Sequence, residues 1–75
     1  MNSLTNFAPK SYVNIQKISG NNMVKKRLSG IGIVEKTNVK ILQNSNNHSL
    51  ILIKIGNRRI AIRRKTGQNI LVKQI

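Results

Sequence analysis

The ten-residue stretch VKKRLSGIGI, residues 24 to 33, places three consecutive cations beside a Gly-Ile-Gly sequence. Consecutive basic side chains can bind the phosphates of a nucleic acid, and a glycine-rich turn can approach a phosphate closely. This Gly-x-Gly lacks the third glycine of a dinucleotide-binding loop, and the chain has no GxxxxGK sequence. Because the glycines follow a helical pattern, we expect them to end a helix rather than to bind phosphate.

Side chains for acid–base chemistry or metal binding are scarce in this chain. Glu35 is the single acidic residue, and there is no cysteine. Glu35 and His48 are therefore the only common metal ligands, with Met1 and Met23 as weak soft ligands. We expect no enzyme activity, no cofactor and no metal site within one chain. A metal site shared between subunits or with a partner stays open.

The charge of the chain is strongly unbalanced, with 14 lysines and arginines and a net charge of +13. Such a surface attracts nucleic acids, acidic proteins and anionic membranes, although a merely solvated surface is the plainer interpretation. Single-strand binders usually stack bases on aromatic rings, and Phe7 and Tyr12 are the only aromatic residues here. Phe7 is expected in the core, which leaves one ring. A small nucleic-acid-binding barrel is therefore the alternative function, and only non-specific binding is expected.

The 75 residues suit one mainly β domain, an antiparallel barrel of about five strands with one short helix. Val24, Leu28 and Ile31 recur at helical spacing and predict a helix whose apolar face plugs the barrel. An asparagine in the turn 19–22 is the expected N-cap. The helix should turn its cations outward, toward an acidic partner: Lys25, Lys26 and Arg27. Alternating apolar residues and turn sequences predict strands at 12–18, 38–43, 49–55, 58–62 and 70–73.

Two hairpins, considered separately, predict the same inward face of the central sheet. A two-residue Gly-Asn turn at 56–57 predicts one set of cross-strand pairs, and a five-residue loop at 44–48 predicts the other. The predicted pairs are Ile53 with Ile60, Ile51 with Ile62, Ile41 with Ile51, and Val39 with Ile53. A slip of one residue would scatter these side chains between the two faces.

The same pairing turns three leucines outward, with Leu42 facing Leu50 and Leu52 facing Ala61. Four cations stand around them: Lys40, Lys54, Arg59 and Arg63. An apolar centre with a polar rim is the usual construction of a protein interface, so these residues are the predicted partner-binding site. The alternative is that the helix or the N-terminal segment covers the leucines and makes them a second core.

Two stretches, VKKRLSGIGIVEKTNVKIL and IAIRRKTGQNILV, resemble the FeoA family of bacterial ferrous-iron uptake. The matching positions are Leu4, Phe7, Pro9, Lys26, Arg27, Leu28, Gly32, Ile33, Thr37, Val39, Ile60, Ala61, Ile62, Arg63, Ile70 and Val72. The chain departs from the family pattern at Glu35-Lys36, where Pro-Gly is usual, and at Lys10 and Val13, where glycines are common. It also departs at Lys65, where an acid is common, and at Gly67, where alanine is usual.

The resemblance implies a single SH3-like domain over residues 1–75 that is a non-enzymatic adaptor or regulator of FeoB, the membrane transporter for ferrous iron. The implied partner is FeoB's cytoplasmic GTP-binding region. The anionic inner membrane surface and a second copy of the chain are further partners to consider. The family is associated with transition metals, for which this sequence lacks ligands. The N-terminal MNSLTNF has no basic or apolar leader region, so a cytoplasmic location is expected.

Overall fold

A computed structural model describes residues 2–45 and 49–75 of the chain. Six strands and two helices follow one another along it. They are β1 (Asn2–Ser3), β2 (Tyr12–Ile18), α1 (Asn22–Gly30), β3 (Asn38–Gln43), β4 (Leu50–Ile55), β5 (Arg58–Arg63), α2 (Arg64–Gly67) and β6 (Ile70–Gln74). None of the helices in the described ranges has the length and apolar character needed to cross a lipid bilayer.

All six strands belong to one antiparallel sheet in the order β1-β6-β2-β3-β4-β5. The predicted mainly β fold is therefore confirmed, with three differences. One short helix was expected, and the four-residue α2 is a second one. The N-terminal segment contributes a sixth, two-residue strand and a turn of 3-10 helix at Leu4–Asn6, where only an extended segment was expected. The sheet is also not closed, because its outer strands β1 and β5 do not pair with each other among the described residues.

The concave side of the sheet holds an aliphatic core with no buried polar side chain among the described residues. Its members come from every strand of the sheet except β1, with one residue each from the N-terminal segment, from α1 and from the segment after α1. The buried residues are Leu4, Val13, Ile15, Ile18, Leu28, Ile33, Val39, Ile41, Ile51, Ile53, Ile62, Ile70 and Val72. Phe7, Val24, Ile55 and Ile60 pack against this core while remaining partly exposed. The predicted inward isoleucines and valine are thus confirmed.

The helix α1 begins and ends at the predicted positions, but the prediction that Ile31 belongs to its apolar face is wrong. The Asn21 side chain accepts a hydrogen bond of 2.9 Å from the Val24 backbone N–H, which caps the first turn. Leu28 is buried, whereas Ile31 is 38% exposed. Ile31 lies just past the last helical residue, and Gly32 with φ +92° reverses the chain there. This reversal turns Ile33, instead of Ile31, into the core.

The register of β4 with β5 matches the prediction, and the register of β3 with β4 does not. Ile51 faces Ile62 and Ile53 faces Ile60, as a two-residue turn requires. On the other side of β4, Ile41 faces Ile53 instead of Ile51. The pairing is shifted by two residues, and an irregularity between 41 and 43 places Gln43 opposite Leu52. A shift of two leaves the inward face unchanged, so the core forms regardless.

The N-terminal segment is attached to the sheet by the side chain of Asn44. Its Nδ2 donates to the carbonyl oxygens of Thr5 at 3.0 Å and Phe7 at 2.6 Å. Its Oδ1 accepts from Nη1 of Arg64 at 2.7 Å. One amide therefore joins the chain before β2, the end of β3 and the start of α2. This attachment holds the segment that carries Leu4, which is fully buried.

Candidate partner-binding face

Three cations lie side by side on the convex, outer face of the sheet. Lys40 of β3 faces Lys54 of β4, which in turn faces Arg59 of β5. Directly opposed side chains of an antiparallel sheet have Cβ atoms roughly 5 Å apart, and like charges at this distance destabilise the pair. With Glu35 as its single acidic side chain, the chain cannot neutralise these charges. This cation row, Lys40, Lys54 and Arg59, therefore attracts anions from outside the chain.

Beside the cation row lie the three outward leucines, which we call the leucine patch: Leu42, Leu50 and Leu52. Leu52 faces Ala61 as predicted. Leu42 lies in the irregular part of β3 and does not face Leu50, whose partner is Arg63. The predicted Leu42–Leu50 pair is therefore wrong. The leucines nevertheless lie outside the core, because each is next to an inward isoleucine on its own strand, Leu42 beside Ile41, and Leu50 and Leu52 beside Ile51.

The leucine patch is partly exposed. Leu50 is 50% exposed, Leu42 and Leu52 are half-buried, and none of the three belongs to the core. Neither α1 nor the N-terminal segment makes a second core of them. Next to the patch is a shallow depression of about 290 Å³, lined among others by Pro9, Leu42 and Leu50. An apolar side chain of a partner would fit such a depression.

The cations of α1 form a separate surface. Lys25, Lys26 and Arg27 are all exposed, as predicted. However, α1 packs through Leu28 against the core, which lies on the concave side of the sheet. The fold therefore does not place these three cations around the leucine patch. The cations beside it are those of β3, β4 and β5.

Tyr12 is a neighbour of the cation row that the sequence analysis did not assign to the site. It faces Lys40 across β2 and β3, is 54% exposed, and has the Lys40 Nζ 5.4 Å from its ring centroid. A cation over an aromatic ring at this distance is attracted by the ring face. The outward row thus runs across four strands, with Tyr12 followed by the three cations. The sequence did contain a signal for this position. Val13 and Ile15 alternate toward the core, so Tyr12, which directly precedes Val13, falls on the outward face.

Chemistry other than binding has few residues to support it. Among residues 2–45 and 49–75, no three His, Cys, Asp or Glu side chains lie close enough together to hold a metal ion. His48, a potential ligand in the sequence analysis, lies outside the described residues. The outer face described above offers apolar contact, cationic groups and one aromatic ring.

Comparison with known proteins gives a consistent result. A family model described as FeoA domain matches residues 2–74. No curated protein sequence matches the chain significantly. Among solved structures, an iron uptake regulatory protein (FeoA) superposes with a TM-score of 0.90 at 19% identity, over 97% of this chain and 96% of the other.

Two further solved structures are longer than this chain. Iron(II) transport protein A from Clostridium thermocellum has a TM-score of 0.89 and 26% identity, over 97% of this chain but 45% of that protein. A manganese-dependent transcriptional repressor in complex with manganese has a TM-score of 0.92 and 16% identity, over 99% of this chain but 36% of the repressor. The chain thus spans less than half of each, and the repressor shares its fold alone.

Proposed function

Because the chain belongs to the FeoA domain family, we propose that it is a non-enzymatic adaptor that binds and regulates FeoB, the membrane transporter for ferrous iron. Membership of this family implies involvement in ferrous iron transport, and domains of the family are small and non-catalytic. The proposed site of action is the cytoplasmic GTP-binding region of FeoB. Iron is then the cargo of the transporter, and the chain itself needs no iron ligands.

The observation that carries this proposal is the exposed leucine patch inside a basic rim. Leu50 is half exposed, and Lys40, Lys54, Arg59 and Arg63 stand around the three leucines. An apolar centre supplies the free energy of association, while the surrounding charges select an acidic surface and increase the association rate. A net charge of +13 strengthens this preference for an acidic partner.

A binding measurement tests the proposal directly. The cytoplasmic GTP-binding region of FeoB from the same organism is immobilised, and binding of the purified chain is followed at physiological salt. Leu50→Asp should weaken binding about tenfold or more, because it removes an apolar contact at the centre and introduces a charge there. Leu50 is half exposed, so this variant should keep its fold and its thermal unfolding midpoint.

Met23→Asp is the matched control. Met23 is 69% exposed and lies on α1, away from the leucine patch, so this substitution replaces an exposed apolar side chain by the same charge without touching the proposed site. It should bind like the unmodified chain. The proposal fails if the unmodified chain does not bind the FeoB region, or if Leu50→Asp and Met23→Asp bind equally well.

A second candidate function, nucleic-acid binding, is favoured by one observation. Tyr12 is exposed and lies in line with the cation row, which combines a ring for stacking with cations for phosphate. One ring stacks one base, so this surface supports little sequence discrimination. It therefore ranks below the adaptor function.

A further inference from the structure

Strand β5 is an outer strand of the sheet, and one of its edges has no partner strand among residues 2–45 and 49–75. The hairpin with β4 alternates between hydrogen-bonded and non-hydrogen-bonded pairs. The Arg64 N–H donates to the Ser49 carbonyl at 2.7 Å, which fixes the phase of this alternation. Every second residue before Arg64 has the same orientation. The backbone groups of Ile62, Ile60 and Arg58 therefore point toward β4.

It follows that Arg59, Ala61 and Arg63 direct their N–H and C=O groups away from β4. These three residues form what we call the free edge. All three are exposed, and β5 packs against β4 and α2 without another strand beside it among the described residues. Unpaired edge groups of this kind can hydrogen-bond to an added strand.

The charges of the free edge determine which strand can be added. Arg59 and Arg63 both project on the outer face, one on each side of Ala61. A second copy of β5 would bring arginines against arginines, and like charges on adjacent strands are destabilising. An acidic strand would instead pair with both. The charges that exclude a second copy therefore favour an acidic partner.

From these observations we propose that the free edge of β5 binds an extended acidic peptide segment as a seventh, antiparallel strand. The segment has an acid, an apolar residue and a second acid at alternate positions. The acids lie opposite Arg59 and Arg63, and the apolar residue lies over Ala61. Ala61 is small, and its neighbour across β4 is Leu52 of the leucine patch, so a large apolar side chain has room and a contact there.

This inference does not depend on the proposed function. It concerns a strand edge and a class of peptide, and it holds whichever protein carries the segment. Binding of the FeoB region to the leucine patch and binding of a peptide to the free edge are measured with different ligands. Either can therefore fail while the other succeeds.

Fluorescence anisotropy with a labelled synthetic peptide tests the inference. The sequence Thr-Glu-Thr-Phe-Thr-Glu-Thr has the proposed spacing, with Phe opposite Ala61. In the antiparallel arrangement the Phe N–H points toward β5 and the N–H groups of the neighbouring threonines point away. N-methylation of the Phe nitrogen should therefore weaken binding about tenfold, since a hydrogen bond is lost and a methyl group is placed in the edge. N-methylation of the adjacent Thr nitrogen should leave binding nearly unchanged.

A variant of the domain supplies the complementary test. Ala61→Pro removes the central donor of the free edge, and proline is tolerated on an outer strand where its nitrogen faces solvent. This variant should remain folded and should bind the peptide about tenfold more weakly than Ala61→Val, which keeps the donor. Circular dichroism confirms the fold of both, and the N-methyl comparison stands even if Ala61→Pro unfolds.

Three results would overturn the inference. Equal loss of affinity on N-methylation at Phe and at Thr would show that no strand is added in the proposed register. Equal binding by a peptide with lysines in place of its glutamates would remove the role of Arg59 and Arg63. If sedimentation shows that the unmodified domain is a dimer and that Ala61→Pro makes it a monomer, the free edge binds a second copy instead.

Discussion

Gly32 is the residue at which the chain leaves α1 and turns toward the core. Its φ of +92° lies in the region that residues with a Cβ rarely adopt. The space beside it is also occupied, because a Cβ at this position would collide with Nη2 of Arg58. That same nitrogen donates to the Ile31 carbonyl at 2.5 Å, which binds the end of α1 to β5. Gly32 thus allows both the reversal and this hydrogen bond.

Substitution of the two nearby glycines by alanine should have opposite effects. Gly32→Ala should lower the free energy of unfolding by about 1–2 kcal/mol, because the backbone is strained and Arg58 must move away from Ile31. Gly30→Ala should raise it by about 0.5 kcal/mol, because Gly30 is helical and has open space where the methyl group goes. Urea unfolding followed by circular dichroism measures both. Destabilisation of the same size by both variants would contradict this role of Gly32.

Two lysines have a backbone conformation that the residue types alone did not predict. Lys10 and Lys36 have φ of 74° and 68°. The family resemblance places glycine at both positions, and glycine adopts this conformation without strain. Nothing in a lysine side chain indicates positive φ, so only the comparison with the family pattern gave a signal. At Lys36 the neighbouring contacts maintain the turn, since its N–H donates to the Ile15 carbonyl at 2.6 Å.

At the scale of elements, the strand register was predictable across the short turn after β4 and was not predictable across the longer loop before it. A two-residue turn at Gly56 and Asn57 leaves one register for the β4–β5 hairpin, and every pair predicted from it is present. The connection from β3 to β4 is longer, and the irregularity at Leu42 adds a residue to one strand. Hydrophobic alternation cannot detect a register shift of two, because it returns each side chain to the same face.

The candidate site, too, was predictable only in part. The outward position of the leucines and cations was predictable, because it depends only on alternation along each strand. The neighbours across strands were predictable only beside the Gly-Asn turn, as for Leu52 with Ala61. The place of Tyr12 beside Lys40 needed the β2–β3 pairing, for which the sequence offered no turn of fixed length.

The cation row gives an element-scale prediction for stability. Lys54 lies between Lys40 and Arg59, so Lys54→Glu replaces two repulsive pairs by two attractive ones. The free energy of unfolding should rise by about 1 kcal/mol at low salt, and the gain should shrink at 1 M salt, where charges are screened within about 3 Å. Denaturant unfolding at the two salt concentrations measures it.

Lys26→Glu is the control for that prediction. It makes the same change in net charge at an exposed position of α1 that has no charged residue three or four positions away. Its effect at low salt should be clearly smaller. If both variants stabilise equally, the gain comes from net charge rather than from the cation row.

At the scale of the whole molecule, the net charge of +13 predicts how nucleic acid will bind. Contacts to phosphate release counterions, so the affinity should fall steeply between 50 and 200 mM salt, by about a hundredfold or more if several phosphates are contacted. Single-stranded oligonucleotides of unrelated sequence should bind within a few fold of one another, because one exposed tyrosine cannot discriminate among bases. Anisotropy titrations over this salt range provide the measurement. A strong sequence preference that persists at 200 mM salt would favour nucleic-acid binding as the function.

The position of β6 has a consequence for the order in which the domain forms during translation. β6 is synthesised after the other five strands, yet it lies between β1 and β2 in the sheet, and its Ile70 and Val72 are fully buried. A nascent chain that has exposed only β2 to β5 can pair them as a meander. It cannot complete its core, and β2 still has an open edge. Release from the ribosome tunnel of the segment that contains Ile70 and Val72 is therefore the event that converts a partly paired meander into the native domain.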